Sequence, residues 1–188
     1  MEVEKLQAAH PDLEVRWVPF FLDPTIPPEG RTRQPQTSTD TPKSHLELRG
    51  EASGITFRRG RTFTPNSHLA LQLNEFAYDH GATPEQANSL HRALFKAHFD
   101  DFDNIGEIDT LARIAGEQGF DAAEAQAALE ADTYRDEVDT GIQWSRGVGV
   151  TGIPTFIFNQ QYAVVGAQEY EVFEQVMQRL SEMAADEP

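Results

Sequence analysis

The chain has 188 residues, 39% of them hydrophobic and 24% charged, which suits one packed domain with room for an insertion and excludes wholesale disorder. With 15 Lys and Arg against 31 Asp and Glu, the net charge of −16 disfavours nucleic acid and anionic membrane surfaces as partners. Cysteine is absent, which removes disulfides, thiolate metal sites and cysteine nucleophiles from this chain. It contains no run of 18 apolar residues and no apolar leader with a basic start, so a cytoplasmic address is expected.

Residues 1–9 read as the end of an amphipathic helix, with Val3 and Leu6 on one side, before a turn at His10-Pro11-Asp12. Leu13, Val15 and Trp17 then alternate with Glu14, Arg16 and Val18, a period of two that predicts a strand. Pro19 has no N–H to donate and ends its ladder. Residues 23–54 are rich in Pro, Thr, Ser and Gly and predict a long loop with a short helix near 43–50. Gly54-Ile-Thr-Phe57 reads as a short strand or extended segment.

From Thr64 the period becomes 3.6. Thr64 as N-cap and Pro65 at the first helical position predict a helix with Leu69, Leu73 and Phe76 inward. Thr83-Pro84-Glu85-Gln86 is a capping box that opens the next. Asn104 with Glu107 opens a third, stopped at Gly119, and Asp121 with Glu124 opens a fourth. A fifth is expected over about 133–146. Residues 154–158 and 162–165 form a hairpin around Asn159-Gln160-Gln161, and a final helix follows Gly166 with Val172, Phe173, Val176 and Leu180 on one face. The order is α/β with an all-helical insertion.

Charge is unevenly placed. Residues 31–61 hold seven bases against three acids, and residues 99–139 hold thirteen acids against two bases. The acidic stretch reads as solvated helix faces, with an acidic docking surface as the alternative. For the basic stretch, an ordinary exposed loop is set against a site for a small anion. Asp101, Asp103 and Gly106 partly imitate a calcium loop, but Ile105 and Ala112 occupy positions that need oxygen ligands. His91 and His98 share a helical face without a third ligand at metal spacing, so no metal is expected.

Gly149-Val-Thr-Gly-Ile-Pro-Thr-Phe156 is the sharpest feature. Proline makes a cis bond accessible where other residues would meet a cost of about 3 kcal/mol. Local sequence favours a trans proline at a strand end. A cis bond would turn the backbone of Thr151 and Ile153 outward as an unpaired edge.

Taken in order, Leu13–Phe20, Pro27-Pro-Glu-Gly30, Gly54–Phe57, Pro65–Ala70, Leu94-Phe95, Asp103–Ile105, Gly147–Phe156 and Gly166-Ala-Gln168 resemble the DsbA-like thioredoxin-fold family. The resemblance is to its FrnE and 2-hydroxychromene-2-carboxylate isomerase branch, related to kappa-class glutathione transferases. It implies a thioredoxin-like domain from residues 1–61 and 148–188 and a helical insertion over 62–147. It also implies a cis Pro154, with Thr151 and Ile153 offering backbone hydrogen bonds to a thiol or peptide, Asn66 facing the site, and Gln168 at a helix entry that could take a carboxylate.

In that family a first strand and a Cys-x-x-Cys or serine motif would precede Met1, so the fold is expected to be N-terminally truncated by about twenty residues. Loss of a central strand leaves unpaired backbone groups at about 1–3 kcal/mol each when dry. Met1 is therefore expected to be a displaced start, or the vacant slot to be filled by another segment or a second chain. The first functional expectation is a protein of the thiol–disulfide oxidoreductase lineage, inactive in dithiol exchange as this chain stands, acting on a thiol- or disulfide-containing peptide or small molecule. The alternatives are a glutathione-dependent isomerase or transferase, and a non-catalytic peptide-binding module. Only the isomerase or transferase reading carries a cofactor, glutathione.

Overall fold

The computed structural model describes residues 2–38 and 40–186. The elements in chain order are α1 (Glu2–Ala9), β1 (Arg31–Thr32), α2 (His45–Ala52), β2 (Phe63–Thr64), α3 (His68–Asp79), α4 (Pro84–Lys96), a π-helical turn (Ala97–Asp101), α5 (Ile108–Glu117), α6 (Ala122–Glu130), α7 (Arg135–Gly147), β3 (Thr155–Phe158), β4 (Tyr162–Val165) and α8 (Tyr170–Asp186). Met1, included in the expected first helix, lies outside the described residues. Two compact units result, one from residues up to Val18 and from Ser145 onward, the other from Pro19–Trp144. Residues 19–61 thus cluster with the helices that follow them.

The unit of chain ends packs α1 against α8. Leu6 of α1 and Phe173 of α8 are buried, and His10 meets the Glu174 carboxylate at 3.1 Å. β3 and β4 pair antiparallel, with Thr155 opposite Val165 and Phe158 opposite Tyr162. Asn159 and Gln160 make the turn at positive φ. The Phe156 ring meets Phe173 edge-on at 4.7 Å, which fixes the hairpin to α8.

The strand expected over residues 13–20 does not form: the segment carries no regular secondary structure. Its alternation survives as a pattern of burial, Leu13, Val15 and Trp17 half-buried between exposed Glu14, Arg16 and Val18. A periodic sequence chooses which side chains face inward, whereas a strand also needs a neighbouring backbone to close its ladder. Gly54–Phe57 likewise joins no ladder.

In the other unit, α3 packs against α4, α5 and α6, and α5 lies along α6. Leu73, Leu90, Leu111, Ala115 and Ala125 are fully excluded from solvent at the centre, with Phe76 and Leu129 beside them. Two of the expected caps form: Thr83 and Gln86 bond reciprocally, and the Asp121 carboxylate accepts from the Ala123 and Glu124 N–H groups. Two others give way. Thr64 is paired with Arg31 in a two-residue ladder, so α3 starts at His68, whose N–H is capped by the Asn66 side chain. Asn104 turns back onto the Gly106 N–H and α5 starts only at Ile108.

The Pro-rich stretch is organised by one ion pair. Helix α2 buries Glu47 and exposes Leu46 and Leu48. Glu47 closes a capping box with Ser44 and receives two hydrogen bonds from Arg59, at 2.7 and 3.1 Å. Arg59 also donates to the Ser38 and Thr41 carbonyls, so a single guanidinium ties the loop to the helix. The Arg59 contact first, then the Ser44 bonds, lowers the Glu47 pKa from 4.5 to about 2.

Two measurements check this packing. Leu111→Ala should lower unfolding stability by about 2–5 kcal/mol in a denaturant titration, through lost burial and a residual cavity. A carboxyl whose folded pKa is depressed contributes stability that is complete above its unfolded value and is lost as pH falls through the folded one. Glu47→Gln should therefore destabilise the protein at neutral pH and flatten the fall in denaturation midpoint between pH 4.5 and about 2.

Candidate functional site

Helix α7 ends at Gly147, and Gly149, at φ 85°, turns the chain out of it, with the Val150 N–H closing back on the Ser145 carbonyl. Thr151, Ile153 and Pro154 follow as an exposed run, and the Ile153–Pro154 peptide is cis. On the far side the chain is held firmly. The Gly166 N–H donates to the Pro154 carbonyl at 2.8 Å, and the Thr155 hydroxyl donates to the Gly152 carbonyl at 2.8 Å. Between these anchors, the N–H and C=O groups of Thr151 and Ile153 make no hydrogen bond among the described residues. Thr151 and Ile153 therefore present unused donors and acceptors to solvent, on either side of a Gly152 whose carbonyl is taken by Thr155.

The rim around this edge is apolar. Ile153 is 56% exposed, and Val148 and Val165 are similarly bare. Val165 pairs with Thr155 across the hairpin, which puts it next to Pro154. Sequence reasoning missed Val148 and Val165; their signal was a β-branched residue on each side of the Gly-Ile-Pro run with nothing in the local pattern to cover it.

Gln168 sits in the same unit, two residues before α8. Its side-chain amide donates to the Val165 carbonyl at 2.8 Å and braces the end of β4. The helix entry itself is electronegative. Glu169 and Glu171 flank Tyr170, whose hydroxyl is bonded to Glu174; that bond, then burial and the surrounding carboxylates, raises the Tyr170 pKa. Tyr170 and then His10 lower the Glu174 pKa, so the carboxylate stays ionised at neutral pH.

Asn66 lies in the helical unit, and both ends of its amide are engaged. Its Nδ2 donates to the Ile26 carbonyl at 2.8 Å and its Oδ1 accepts from the His68 N–H at 2.9 Å. Gly106 packs onto its backbone so closely that a Cβ there would lie 3.0 Å from the Asn66 carbonyl oxygen. Beyond His68, whose Nε2 meets Asp139 at 3.1 Å, the buried Gln72 bridges the His68 ring and Asp132. This polar chain links residues far apart in sequence and has no local signature.

Among the described residues no helix is long and apolar enough to cross a membrane, and no three His, Asp or Glu side chains converge as metal ligands. The model of the DSBA-like thioredoxin domain matches residues 1–178. YwbO of Bacillus subtilis is 27% identical over 168 residues, covering 88% of this chain and 82% of that protein. The crystal structure of a probable DsbA oxidoreductase from Streptomyces coelicolor superposes with a TM-score of 0.78 at 26% identity, over all of this chain and 83% of that one.

Asn66→Ala removes two internal hydrogen bonds worth about 0.5–1.5 kcal/mol each. It should lower stability by that order and speed amide exchange at His68, both measurable by denaturation and hydrogen exchange.

Proposed function

Because this chain belongs to the DsbA-like thioredoxin domain family and has its α/β fold, we propose that it binds an extended peptide or thiol-bearing ligand along residues 151–154 without exchanging disulfides through this chain. The family match and the likeness to a probable DsbA oxidoreductase support the thiol–disulfide oxidoreductase lineage. Within it we assign the FrnE branch, with the thioredoxin-like part built from both chain ends and the helices inserted between them. The 188 residues hold no cysteine, so they supply neither the thiolate that attacks a disulfide nor the thiol that resolves it.

One observation carries the binding role: the backbone of Thr151 and Ile153 is unsatisfied and exposed beside apolar Ile153 and Val165. An extended ligand that adds as a strand supplies the missing donors and acceptors, while its side chains cover the apolar rim. Thr151 and Ile153 provide the backbone bonds and Pro154 the wall against which a ligand side chain lies. Gln168 keeps the hairpin end in place. Asn66 holds the helix start that the family resemblance associates with the site. The acidic residues around Tyr170 oppose a ligand carboxylate at the α8 entry, which favours peptide over glutathione.

Titration of the isotope-labelled chain with a short extended cysteine-containing peptide should move the amide resonances of Thr151, Gly152 and Ile153. Thr151→Pro, which deletes one donor, should weaken binding about tenfold, the effect of one net hydrogen bond. Shifts confined to other residues would overturn the assignment, and glutathione shifting the same amides with equal affinity would favour the transferase reading. In an insulin-reduction assay the chain alone should show no turnover.

A further inference from the structure

Seven basic side chains lie between residues 31 and 61, and six of them are partnered. Arg31 is held by Asp23 and Thr25, Lys43 by Glu51, Arg58 by the Asp101 carbonyl and the Phe102 ring, and Arg59 by Glu47; Arg49 is engaged as well. Arg33 and Arg61 differ. Neither meets a carboxylate among the described residues. Among the described residues the Arg33 side chain has no hydrogen-bond partner, and its Nε is buried. Among the same residues Arg61 donates to the ring of His98 alone and lies 5.5 Å over Phe99.

The two cations are neighbours. The Arg33 N–H donates to the Thr62 carbonyl at 2.8 Å, and the charge of Arg33 acts on both Arg61 and His98. His98 offers no negative charge in return. Burial, followed by repulsion from Arg61 and Arg33, lowers its pKa to about 4, so it is a neutral acceptor at physiological pH. Burial and then Arg33 also lower the Arg61 pKa. Placing like charges together in partly desolvated surroundings is unfavourable unless a counter-charge joins them.

The counter-charge has somewhere to sit. A pocket of about 80 Å³ is lined by Arg61, Thr62, Phe63, Pro65, His98, Phe102 and Asp103, with Arg33 outside its wall. One water needs about 10–15 Å³ of such space, so this pocket has room for the several heavy atoms of an oxyanion. The protein's own carboxylate at its edge is already committed: Asp103 is bound by Arg113 at 2.6 Å. The wall carrying His98 is the π-helical turn, capped by Phe102 at φ 64°. Irregularities of this kind gather at functional sites.

We propose that this pocket binds a phosphate group, free or esterified, with Arg61 as its direct ligand and Arg33 as the second compensating charge. A dianion there pairs with Arg61 directly and is attracted by the Arg33 charge behind it, and the forked donors of arginine match phosphate oxygens. Thr62 can complete the contact through its hydroxyl. The site lies wholly within the helical unit.

Calorimetric titration with inorganic phosphate, O-phosphoserine and acetate at constant ionic strength tests it, with the His98 ring resonances followed in parallel. Saturable one-to-one binding of phosphate or phosphoserine that shifts the His98 ring is expected, with the tighter of the two identifying the free or esterified form. Acetate should bind at least about tenfold more weakly, or 1.4 kcal/mol. Arg61→Ala and Arg33→Gln should each weaken phosphate at least about tenfold, with native circular dichroism retained. Absence of saturable binding, unchanged affinity in a folded Arg61→Ala or Arg33→Gln variant, or a silent His98 ring on phosphate binding to the unaltered protein would overturn the proposal. The last measurement needs no variant to fold.

Discussion

The backbone of residues 151–153 stays outside every hydrogen-bonded ladder, and the elements around it are arranged so that it does. Helix α7 is closed behind it by the Val150–Ser145 bond, and the hairpin is closed ahead of it by the Gly166–Pro154 bond. The Phe156–Phe173 contact then fixes the hairpin to α8. With both flanks held, the intervening peptides cannot collapse onto a neighbour to satisfy themselves. In the proposed binding role, an edge held this way reduces the ordering cost, because an extended ligand meets donors and acceptors already in place.

The helical unit solves a different problem. Its four central helices bury a continuous apolar core, and the segment ahead of them, from Pro19 to Arg61, meets the helices through the Phe21–His68 and Phe57–Phe99 ring contacts. Polar bonds and close backbone approaches add to these. Arg59 spans Glu47, Ser38 and Thr41, and Asn66 spans Ile26 and His68. Pro19 is seated so closely on α7 that a Cβ at Gly141 would come within 2.8 Å of its ring. Side-chain bonds of this sort, reaching across 12 to 40 residues, stand in for the ladders that a longer strand would have supplied.

Electrostatics divides the molecule unevenly as well. The net charge of −16 is carried largely by exposed helix faces, where solvent and salt screen it. The basic stretch looks in sequence like one uniform patch, yet its members have different fates. Arg59 is a structural clamp and Arg58 rests on an aromatic ring, whereas Arg33 and Arg61 are brought together without an acid. Charge counts along a chain do not distinguish a clamp from a site; that depends on which carboxylates folding brings within reach.

Much of the architecture was legible because its causes are local. The capping box at Thr83, the cap at Asp121, the 3.6-residue periodicity of α3 to α6 and the turn between β3 and β4 all lie within a few residues of their effects. The cis bond at Pro154 was not legible in this way: the local residues favour a trans proline, and only the family resemblance implied the cis form that the structure has. The Asn104 cap failed locally, its side chain taken by the Gly106 N–H, whereas the other failures depended on a distant partner. Thr64 could not cap α3 because Arg31, more than thirty residues away, occupies its backbone, and residues 13–18 alternate like a strand but find no ladder. The sequence by itself determined which side chains turn inward and where helices begin when their caps are adjacent, since sterics and short-range hydrogen bonds set both. Only the tertiary structure decided which backbone groups remain unpaired and which charges lack a counter-ion, because those are properties of what does not come near.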